Sequence, residues 1–330
     1  MRKLEIFDTT LRDGAQAEGI SFSVSDKLKI ASALDNFGVH YIEGGNPGSN
    51  PKDMEFFKSA AALELKNSKL VAFGSTKRKG IAVEEDANVM SLLDAGTDVV
   101  AIFGKSWDLH VTEILRTTFE ENISCITETV RFFKSKGKEV IFDAEHFFDG
   151  YKNSPDYAMQ SLHAAADGGA DVLVLCDTNG GMLPADCYRI AKAVCDEFPD
   201  MRIGIHCHND SGCATANTIM AVEAGACHVQ GTFTGIGERC GNADLSIIIP
   251  NLQLKSDYDC VNCKLEKLME TELTIAEISN MSVPNNKPYV GESAFAHKGG
   301  MHIDGVDKLS GSFEHVDPTL VGNRRKFLLS

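Results

Sequence analysis

The sequence lacks an excess of basic residues, since 32 lysines and arginines stand against 47 aspartates and glutamates and give a formal net charge of −15. A protein that binds nucleic acid through phosphate attraction has the opposite balance, so we expect no nucleic-acid partner. The sequence also lacks an apolar run long enough to cross a bilayer, and residues 1–8 have a strand-like pattern instead of that of a signal peptide. These absences favour a globular, cytoplasmic protein with no membrane partner.

The sequence has only a modest density of cysteine, with ten residues in 330, and most of them lie inside apolar or helical patterns. The Cys-x-x-Cys pair of Cys260 and Cys263 has no second pair at the spacing of a four-ligand zinc site. We therefore expect reduced thiols in or near the core, with neither a structural zinc nor a redox role for this pair.

What the sequence does contain is a regular alternation of short apolar runs with amphipathic stretches. The apolar runs are residues 4–7, 41–42, 70–73, 99–103, 140–142, 172–175, 203–205 and 228–231. The amphipathic patterns include residues 25–37, 123–135, 156–167, 184–198 and 212–223. Ser25 and Pro184 stand at predicted helix starts. Eight buried strands, each followed by a helix, predict an α/β fold, namely a closed (β/α)8 TIM barrel over residues 1–264.

An open doubly wound sheet is the alternative architecture for such an alternation. Its first strand usually runs into a glycine-rich phosphate turn, whereas residues 8–14 are charged and poor in glycine, which favours the barrel. After residue 264 the alternation stops, and residues 265–278 are expected to form a helix. The remainder to residue 330 is too short for a core of its own. We therefore expect residues 265–330 to form a small, mostly helical accessory segment that docks on another surface.

Polar side chains cluster where five of the predicted strands end, which is the face that carries the active site in such barrels. They are Arg12 and Asp13 after strand one, 143–146 at strand five, 177–179 at strand six, 206–210 at strand seven and 238–242 after strand eight. Because side chains alternate along a strand, His206 and His208 point the same way and can bind one metal ion. With Asp13 they make a two-histidine, one-carboxylate face that leaves positions for water and substrate. The alternative is a pair of histidines that only bind backbone carbonyls at the rim.

Three motifs carry a resemblance to a known family: DTTLRDGAQ at residues 8–16, HCHND at 206–210 and GERCGNA at 237–243. They resemble the hallmarks of the metal-dependent TIM barrels that condense or cleave acyl-CoA compounds. These are the isopropylmalate, homocitrate and citramalate synthases, with HMG-CoA lyase as a more distant member. Segments similar to the citramalate synthase branch are residues 18–23, 43–45, 47–53, 143–150 and 322–325. The resemblance covers essentially the whole chain.

The resemblance implies a metal site and an electrophile. It implies that Asp13, His206, His208 and Asn242 bind a divalent ion, Mg²⁺ or Mn²⁺, with Zn²⁺ as an alternative. It also implies that Arg12 stabilises the enolate or alkoxide oxygen of the substrate. A guanidinium suits this role because it stays protonated and is already oriented. A salt bridge at the rim is the alternative role for Arg12.

Substrate and base residues are implied in the same way. Thr178 and Gln16 resemble residues that contact the 2-keto acid, with Thr178 bonding its carboxylate; a strand-end cap is the alternative role for Thr178. Glu145 and His302 are implied as candidates for the base that takes the methyl proton of acetyl-CoA, and the division between them stays open. Where relatives often have a tyrosine in the following segment, this chain has Phe313, so a hydroxyl contribution is absent or comes from elsewhere.

The activity implied by the resemblance is an acyltransferase reaction. Acetyl-CoA and pyruvate condense, the thioester is hydrolysed, and citramalate and CoA leave. Isopropylmalate or homocitrate synthesis from a larger keto acid is one alternative, and an acyl-CoA lyase is another. A metal-dependent sugar-phosphate aldolase or isomerase would need a phosphate site after strands seven and eight, where the sequence has no glycine-rich helix start.

Two local features bear on the substrates. The basic residues Lys77, Arg78 and Lys79 could bind CoA phosphates, although most such runs are solvated surface. Phe73 and Phe103, at predicted strand ends, are candidate walls of the keto-acid pocket or simply core residues. Relatives are dimeric enzymes of amino-acid biosynthesis, in the isoleucine and leucine pathways, so a homodimer is expected. Relatives also continue into a regulatory domain, which we expect to be absent here.

Overall fold

The computed structural model describes residues 2–260 and 264–328, and within that range eight strands form a closed parallel barrel. The barrel strands, numbered one to eight below, are Glu5–Asp8, Tyr41–Gly45, Lys69–Ser75, Val99–Lys105, Glu139–Glu145, Val172–Asp177, Arg202–Cys207 and His228–Gly231. Strand eight closes the barrel on strand one, with Glu5 opposite His228 and Asp8 opposite Gly231. The predicted (β/α)8 fold is confirmed.

Helices follow the strands and cover the outside of the barrel. They are Val24–Phe37, Pro51–Ala60, Ala87–Asp94, Phe119–Ser135, Phe147–Asn153, Pro155–Gly168, Pro184–Glu197, Ala214–Ala224 and Leu245–Lys255. In the helix Phe119–Ser135, the fully buried residues Ile126, Val130 and Phe133 recur every three or four positions, whereas Arg131 is exposed. This spacing gives the helix one apolar face, which packs against the sheet.

The helix Val24–Phe37 begins with a cap that differs from the prediction. Ser23 Oγ accepts a hydrogen bond from the backbone N–H of Asp26, and the Asp26 carboxylate accepts one from the backbone N–H of Ser23 at 3.0 Å. The prediction of Ser25 as the cap is wrong, because Ser25 lies inside the first turn and cannot satisfy these donors. The other end is as expected, with Gly38 in the left-handed region at a φ of 101°.

The strands extend further toward their carboxyl ends than their apolar runs indicate. Residues 140–142 are predicted as strand five, whereas the strand covers Glu139–Glu145. Its polar end keeps the ladder register, with Asp143 opposite Phe103 and Glu145 opposite Lys105 on strand four. Asp143 and Glu145 at the barrel mouth are therefore held by strand hydrogen bonds rather than by a loop.

The interior of the barrel has an apolar middle and a charged base. The middle contains Phe7, Tyr41, Val71, Val99, Ala101, Ile141, Val172, Val174 and Cys176. At the base, Arg202 lies 2.7 Å from Glu5 and 2.9 Å from Glu139, and His228 Nδ1 lies 3.1 Å from Glu5 Oε2. This network fills the amino-terminal end of the barrel, opposite the end where the predicted site residues lie.

Residues after the barrel pack against its outside. The predicted helix 265–278 is a 3-10 turn, Leu265–Lys267, followed by the helix Leu268–Ile278, which contacts Val24–Phe37. Beyond it lie the helix Gly300–Lys308 and a parallel pair of two-residue strands, Ala296–His297 and Lys326–Phe327. The accessory segment is thus helical with one short strand pair. The domain boundary at residue 264 stays a prediction.

Lys287 ties the accessory segment to the barrel. Its Nζ lies 2.7 Å from Asp244 Oδ2 and also pairs with Glu272, whose side chain is fully buried. Farther along, Asn323 Nδ2 donates to the carbonyl oxygens of Tyr289 at 2.8 Å and Gly291 at 3.0 Å. These buried contacts fix the path of the segment across the barrel.

Two further predictions concern cysteines and membranes. Cys260 is a buried free thiol, whereas Cys263 lies outside the described residues. Among the helices that the structure describes, none has the length and apolar character needed to cross a membrane.

Candidate metal centre and active site

Asp13, His206 and His208 meet at the carboxyl end of the barrel. His206 lies on strand seven and His208 follows it by two residues, so both imidazoles face the same side, as predicted. Their Nε2 atoms lie 3.4 and 3.7 Å from Asp13 Oδ2, and one ligand atom from each residue lies within 4.8 Å of the others. All three residues are buried. One metal ion could therefore contact all three side chains.

The charges in this group suit a cation. Burial opposes ionisation of Asp13, but the charge of Arg12 and a hydrogen bond from His206 hold the pKa of Asp13 well below its ordinary value. Burial also opposes protonation of His206, yet Asp13 raises the pKa of His206. Burial, with His206 nearby, lowers the pKa of His208 to about 4. At neutral pH the group thus holds an anionic carboxylate and one neutral imidazole, which are ligand forms that a metal requires.

Asn242 joins the group from the loop after strand eight. It forms an isolated bridge with His208, and its Nδ2 donates to the carbonyl oxygen of Ile236 at 3.2 Å. Asn242 Oδ1 and Asp13 Oδ1 are buried without a hydrogen-bond partner among the described residues. Unpaired buried acceptors are unfavourable, and a divalent cation would satisfy both. The donor set of two imidazoles, a carboxylate and an amide oxygen therefore fits such an ion.

Arg12 lies beside the group of Asp13, His206 and His208, and three side chains contact its guanidinium. Its Nε donates to Glu43 Oε2 at 2.6 Å, and its Nη1 lies 3.3 Å from Asp13 Oδ2. The guanidinium carbon lies 3.9 Å from the centroid of the Phe73 ring, which is close enough for a cation–π contact. Although burial opposes the charge, Glu43 and Asp13 raise the pKa of Arg12 above its ordinary value. The guanidinium is thus a fixed cation.

A cavity of about 300 Å³ opens beside these groups. Its lining consists of Arg12, Asp13, Gln16, Asn46, Phe73, Phe103, Asp143, Glu145, Cys176, Thr178, His206, His208 and Glu238. The lining thus brings together the predicted site residues except Asn242, which reaches the group through His208, and His302. His302 is exposed on the helix Gly300–Lys308, where its ring stacks on Phe313 at 4.3 Å between centroids. Its role as a base stays a prediction.

Glu145 and Thr178 present their side chains on the far side of this cavity. The Glu145 carboxylate forms an ion pair with Lys105 of the neighbouring strand, and its side chain is 24% exposed. Thr178 Oγ1 accepts a hydrogen bond from the backbone N–H of His146 at 2.8 Å. Because a hydroxyl has one hydrogen, the Thr178 hydroxyl keeps that hydrogen for another acceptor. Both residues therefore have polar groups available to a ligand.

A stack of rings supports the rim next to Thr178. Trp107, the single tryptophan of the sequence, stacks on His110 at 5.0 Å between centroids, and His110 lies 4.2 Å from His146. His110 begins a π-helical turn, and His146 has a left-handed φ of 57°. The stack holds His146 in this unfavourable backbone conformation, which directs its N–H toward Thr178.

The loops after strands six, seven and eight are tied together by Arg239. The sequence places Asp210 close to the metal ligands, but its carboxylate pairs with Arg239 at 2.8 and 2.9 Å. Arg239 Nη2 also donates to the carbonyl oxygen of Thr178 at 2.8 Å. Asp210 therefore orders the loops rather than joining the group of ligand atoms.

Three buried residues of the site received no role from the sequence. Glu43 accepts a hydrogen bond from Arg12. The run of residues 43–45 resembles the citramalate synthase branch, but this resemblance gives Glu43 no role. Gln230 and Asp143 form a buried chain to His206: Gln230 Oε1 lies 2.9 Å from His206 Nδ1, and Gln230 Nε2 donates to Asp143 Oδ1 at 3.0 Å. Burial, together with Glu43, raises the pKa of Asp143 to about 7. Gln230 carries no sequence signal, since it lies within a run that is typical of a buried strand.

A second cavity of about 440 Å³ adjoins the first, and Phe103 lines both. The basic residues noted above, Lys77, Arg78 and Lys79, line it together with the apolar side chains of Ile114 and Leu115. The Arg78 side chain is 72% exposed. This cavity thus combines an apolar wall with positive charge, and Lys105, the ion-pair partner of Glu145, also lines it.

The closed barrel, together with the buried group of Asp13, His206 and His208 that could hold a metal ion, is typical of a class of metal-dependent barrels. Comparison with known families places the chain within one such class: the family model described as HMGL-like matches residues 3–275, and the chain belongs to this family. A second model, described as homocitrate synthase post-HMGL domain-like, matches residues 289–330.

Relatives within the family point to a particular branch. The chain is 59% identical to an (R)-citramalate synthase of Aquifex aeolicus, over 99% of this chain and 62% of that protein. An (R)-citramalate synthase of Synechocystis is 51% identical over 99% of this chain and 61% of that protein. A probable 2-isopropylmalate synthase of Ignicoccus hospitalis is 37% identical, over 99% of this chain and 79% of that protein. The chain spans about three fifths of the length of these citramalate synthases.

Solved structures with the same fold include HMG-CoA lyases. The Bacillus subtilis protein aligns with a TM-score of 0.72 at 21% identity, covering 86% of this chain and 96% of that chain. An HMG-CoA lyase of Acinetobacter baumannii, solved with coenzyme A and 3-methylmalate, aligns with a TM-score of 0.69 at 20% identity, covering 86% and 93%. At these identities the likeness concerns the fold alone.

Proposed function

We propose that this chain catalyses the condensation of acetyl-CoA with pyruvate to give citramalate and CoA. The observation that carries the proposal is the small cavity in which Asp13, His206 and His208 lie beside Arg12. The similarity to (R)-citramalate synthases at 48–59% identity supports this branch, because the probable 2-isopropylmalate synthases are 37% identical.

Four side chains would hold the metal in this proposal: Asp13, His206, His208 and Asn242. The ion would be Mg²⁺ or Mn²⁺, with Zn²⁺ as the alternative, since carboxylate and amide oxygens favour the harder ions and imidazoles accept all three. When bound, such an ion polarises the keto carbonyl as a Lewis acid.

Arg12, Thr178 and Gln16 would bind and orient the keto acid. Arg12 is fixed by Glu43 and Phe73, so its guanidinium needs no rearrangement to stabilise the oxygen that gains negative charge. The Thr178 hydroxyl would donate its hydrogen to the substrate carboxylate, because its oxygen already accepts from His146. Gln16 lines the same cavity and offers an amide to the substrate.

Glu145 is our candidate for the base. Its carboxylate would take a proton from the methyl group of acetyl-CoA, and the resulting carbon nucleophile would attack the keto carbon of pyruvate. Water then hydrolyses the thioester and releases CoA. The Glu145 carboxylate forms an ion pair with Lys105 of the neighbouring strand and lines the cavity that would hold the substrates. His302 remains the second candidate, although it lies outside the cavity lining of this chain.

The aromatic wall supports a short keto acid. Phe73 and Phe103 stack at 5.2 Å between ring centroids and line the cavity beside Arg12. The two rings would form an apolar wall against the methyl group of pyruvate, and each added methylene of a longer keto acid changes binding by only about 1–3 kcal/mol. Isopropylmalate synthesis from 2-ketoisovalerate is therefore the second candidate function, supported by the 37% identity to probable 2-isopropylmalate synthases.

The neighbouring cavity would take the CoA portion of the thioester. Its apolar residues Ile114 and Leu115 suit the pantetheine arm, and Arg78 and Lys79 supply positive charge for phosphates despite the acidic net charge of the chain. Since Phe103 lines both cavities, an extended thioester could place its acetyl group near Glu145.

A panel of keto acids tests the proposed function. With Mg²⁺ or Mn²⁺ and acetyl-CoA, the purified chain should release free CoA fastest with pyruvate among keto acids from glyoxylate to 2-ketoisovalerate. Calorimetric binding of pyruvate with metal, measured alongside, reports on the site even when turnover is low. Fastest release with 2-ketoisovalerate would overturn the citramalate assignment in favour of the second candidate.

The wider setting follows the family expectation. We propose a homodimer that works in the cytoplasm, with citramalate feeding the biosynthesis of isoleucine and, in relatives with larger keto acids, leucine. Support comes from the family membership alone, and the oligomeric state can be measured directly by light scattering.

A further inference from the structure

A buried chain of three side chains leads from the barrel interior to the metal-binding group. Asp143, Gln230 and His206 lie on strands five, eight and seven, and each is at most 5% exposed. Asp143 Oδ1 accepts a hydrogen bond from Gln230 Nε2 at 3.0 Å, and Gln230 Oε1 lies 2.9 Å from His206 Nδ1. On its other side, His206 Nε2 lies 3.4 Å from Asp13 Oδ2.

We propose that Gln230, oriented by Asp143, is a positioning residue that keeps the ring proton of His206 on Nδ1 and so leaves Nε2 free to bind the metal. The proposal rests on the metal centre described above and is independent of which keto acid reacts.

The two ends of the Gln230 side-chain amide have opposite hydrogen-bonding roles, since the NH₂ group donates and the oxygen accepts. Asp143 Oδ1 accepts the hydrogen bond from the NH₂ end of the Gln230 side chain, and because the ionised Asp143 carboxylate can only accept, this form keeps the carbonyl end of the amide turned toward His206. A carbonyl can also only accept, so His206 Nδ1 must carry the hydrogen in this bond. A neutral imidazole has one N–H, and the 2.9 Å contact of Nδ1 with Gln230 is shorter than the 3.4 Å contact of Nε2 with Asp13, so the neutral ring keeps its hydrogen on Nδ1 and Nε2 carries a lone pair. Only the protonated ring also donates from Nε2 to Asp13.

The opposite orientation would disable the site. If the Gln230 amide turned over, its NH₂ group would face His206 Nδ1, and the ring proton would move to Nε2, where the metal must bind. Asp143 prevents this because its acceptor oxygen would then face the amide oxygen. The strand positions of all three residues fix their distances, which a loop would not do.

His208 provides the comparison within the same site. Its Nδ1 is buried and has no hydrogen-bond partner among the described residues, so nothing in that part of the chain selects its proton position. The proton position of His206 is therefore fixed before the metal binds, whereas that of His208 can change when the metal binds. Outer partners of metal-binding histidines typically contribute about 10–100-fold in metal affinity.

The first test uses the unmodified chain without metal. Long-range ¹H–¹⁵N spectra report which imidazole nitrogen carries the proton, and the His206 signals can be identified by their loss in His206→Gln. At a pH where the spectra show a neutral ring, we expect His206 to be protonated on Nδ1. Protonation on Nε2 would overturn the proposal without need of any variant at position 230.

The second test uses two variants at position 230 and calorimetric titration with Mn²⁺ in the absence of substrate. Gln230→Met keeps the size but removes the acceptor, and we expect Mn²⁺ affinity to fall about 10–100-fold together with a mixed proton position on His206. Gln230→Glu keeps an acceptor oxygen toward Nδ1 of His206, because one proton can be shared between its carboxyl and that of Asp143. This variant should retain the Mn²⁺ affinity of the unmodified chain within a few fold.

The outcomes separate two kinds of failure. If the unmodified chain binds no Mn²⁺, the metal centre itself is wrong. If it binds Mn²⁺ and a folded Gln230→Met variant has the same affinity and the same His206 proton position, only the positioning role of Gln230 is wrong. Circular dichroism of each variant establishes that the barrel is folded.

Discussion

Arg12 shows how one residue acquires a function from its surroundings. Glu43 and Asp13 keep its charge in a buried position, and the face of Phe73 fixes the plane of its guanidinium. A planar, delocalised cation can hold both contacts at once, whereas the ammonium of a lysine is a compact charge on a flexible stem. The identity of the residue therefore matters more than its charge.

At the residue scale we expect Arg12→Lys to lower kcat about 100–1,000-fold, because the oxygen that gains charge loses an oriented donor. Metal affinity should change little, since the ligand residues remain. The measurement is steady-state CoA release together with Mn²⁺ calorimetry. Arg189→Lys, on an exposed helix position, is the matched control and should leave kcat unaltered. A kcat within threefold of the unmodified chain would remove Arg12 from the reaction.

At the element scale, the barrel and the paired histidines could be predicted because their signals are local, whereas the roles of residues such as Arg12 and Thr178 came from the family resemblance and stay predictions. The two-residue spacing of His206 and His208 on a short buried strand determines that both face one side. Gln230 could not be predicted, because a polar residue inside a short strand shows no local sign of the side chain that it meets across the barrel. The position of His302 likewise depends on how the accessory segment docks, which is a long-range property.

Helix caps show the limit of local signals. Ser23 and Ser25 flank the same helix start, and both are acceptable caps by residue type. The choice depends on Asp26, which can complete a reciprocal pair of hydrogen bonds only with Ser23.

We expect Ser23→Ala to lower the free energy of unfolding by about 1 kcal/mol, because the backbone N–H of Asp26 in the first turn loses its side-chain acceptor. Ser25→Ala, inside the helix, should change it by less than about 0.5 kcal/mol. Urea denaturation followed by circular dichroism measures both. Equal effects of the two substitutions would contradict the observed cap.

At the scale of the whole molecule, two charged networks stabilise the fold far from the cavity. One fills the base of the barrel around Arg202, and the other holds the accessory segment through Lys287. Both join parts of the chain that are distant in sequence. The networks thus separate the residues that support the fold from those that carry the chemistry.

Removal of Lys287 should loosen the accessory segment. In Lys287→Met, Glu272 would remain buried without its partner, and we expect a loss of about 3 kcal/mol in the free energy of unfolding with faster proteolysis within residues 279–328. Lys308→Met, whose ion pair with Asp304 is exposed, is the control and should cost less than about 0.5 kcal/mol. Unchanged protease resistance in Lys287→Met would show that other contacts hold the segment.

The base of the barrel predicts an acid-dependent stability. Burial raises the pKa of Glu5, but His228 and Arg202 outweigh it and lower the pKa to about 2. A carboxyl whose pKa is lower in the folded state stabilises the fold above its ordinary pKa, near 4.5, and this contribution is lost as the pH falls toward 2.

Glu5→Gln should therefore destabilise the protein at pH 7 by about 1–2 kcal/mol, a value reduced for partial solvent screening. The difference from the unmodified chain should shrink between pH 5 and about pH 2. Urea denaturation across this range measures it, with Glu64→Gln at an exposed position as the control. If the difference in the free energy of unfolding stays constant with pH, ionisation of Glu5 does not contribute to stability.

The ring stack at the rim places a fluorescent side chain close to the cavity. Trp107 is the only tryptophan in the sequence, and its ring stacks on that of His110. The His110 ring lies next to that of His146, whose backbone N–H donates a hydrogen bond to Thr178. A nearby imidazole quenches indole emission to a degree that depends on its distance and protonation. We therefore expect a ligand that binds the Thr178 hydroxyl and shifts His146 to alter the fluorescence of the protein, so that occupancy can be followed in a cuvette without dye, label or coupled enzyme.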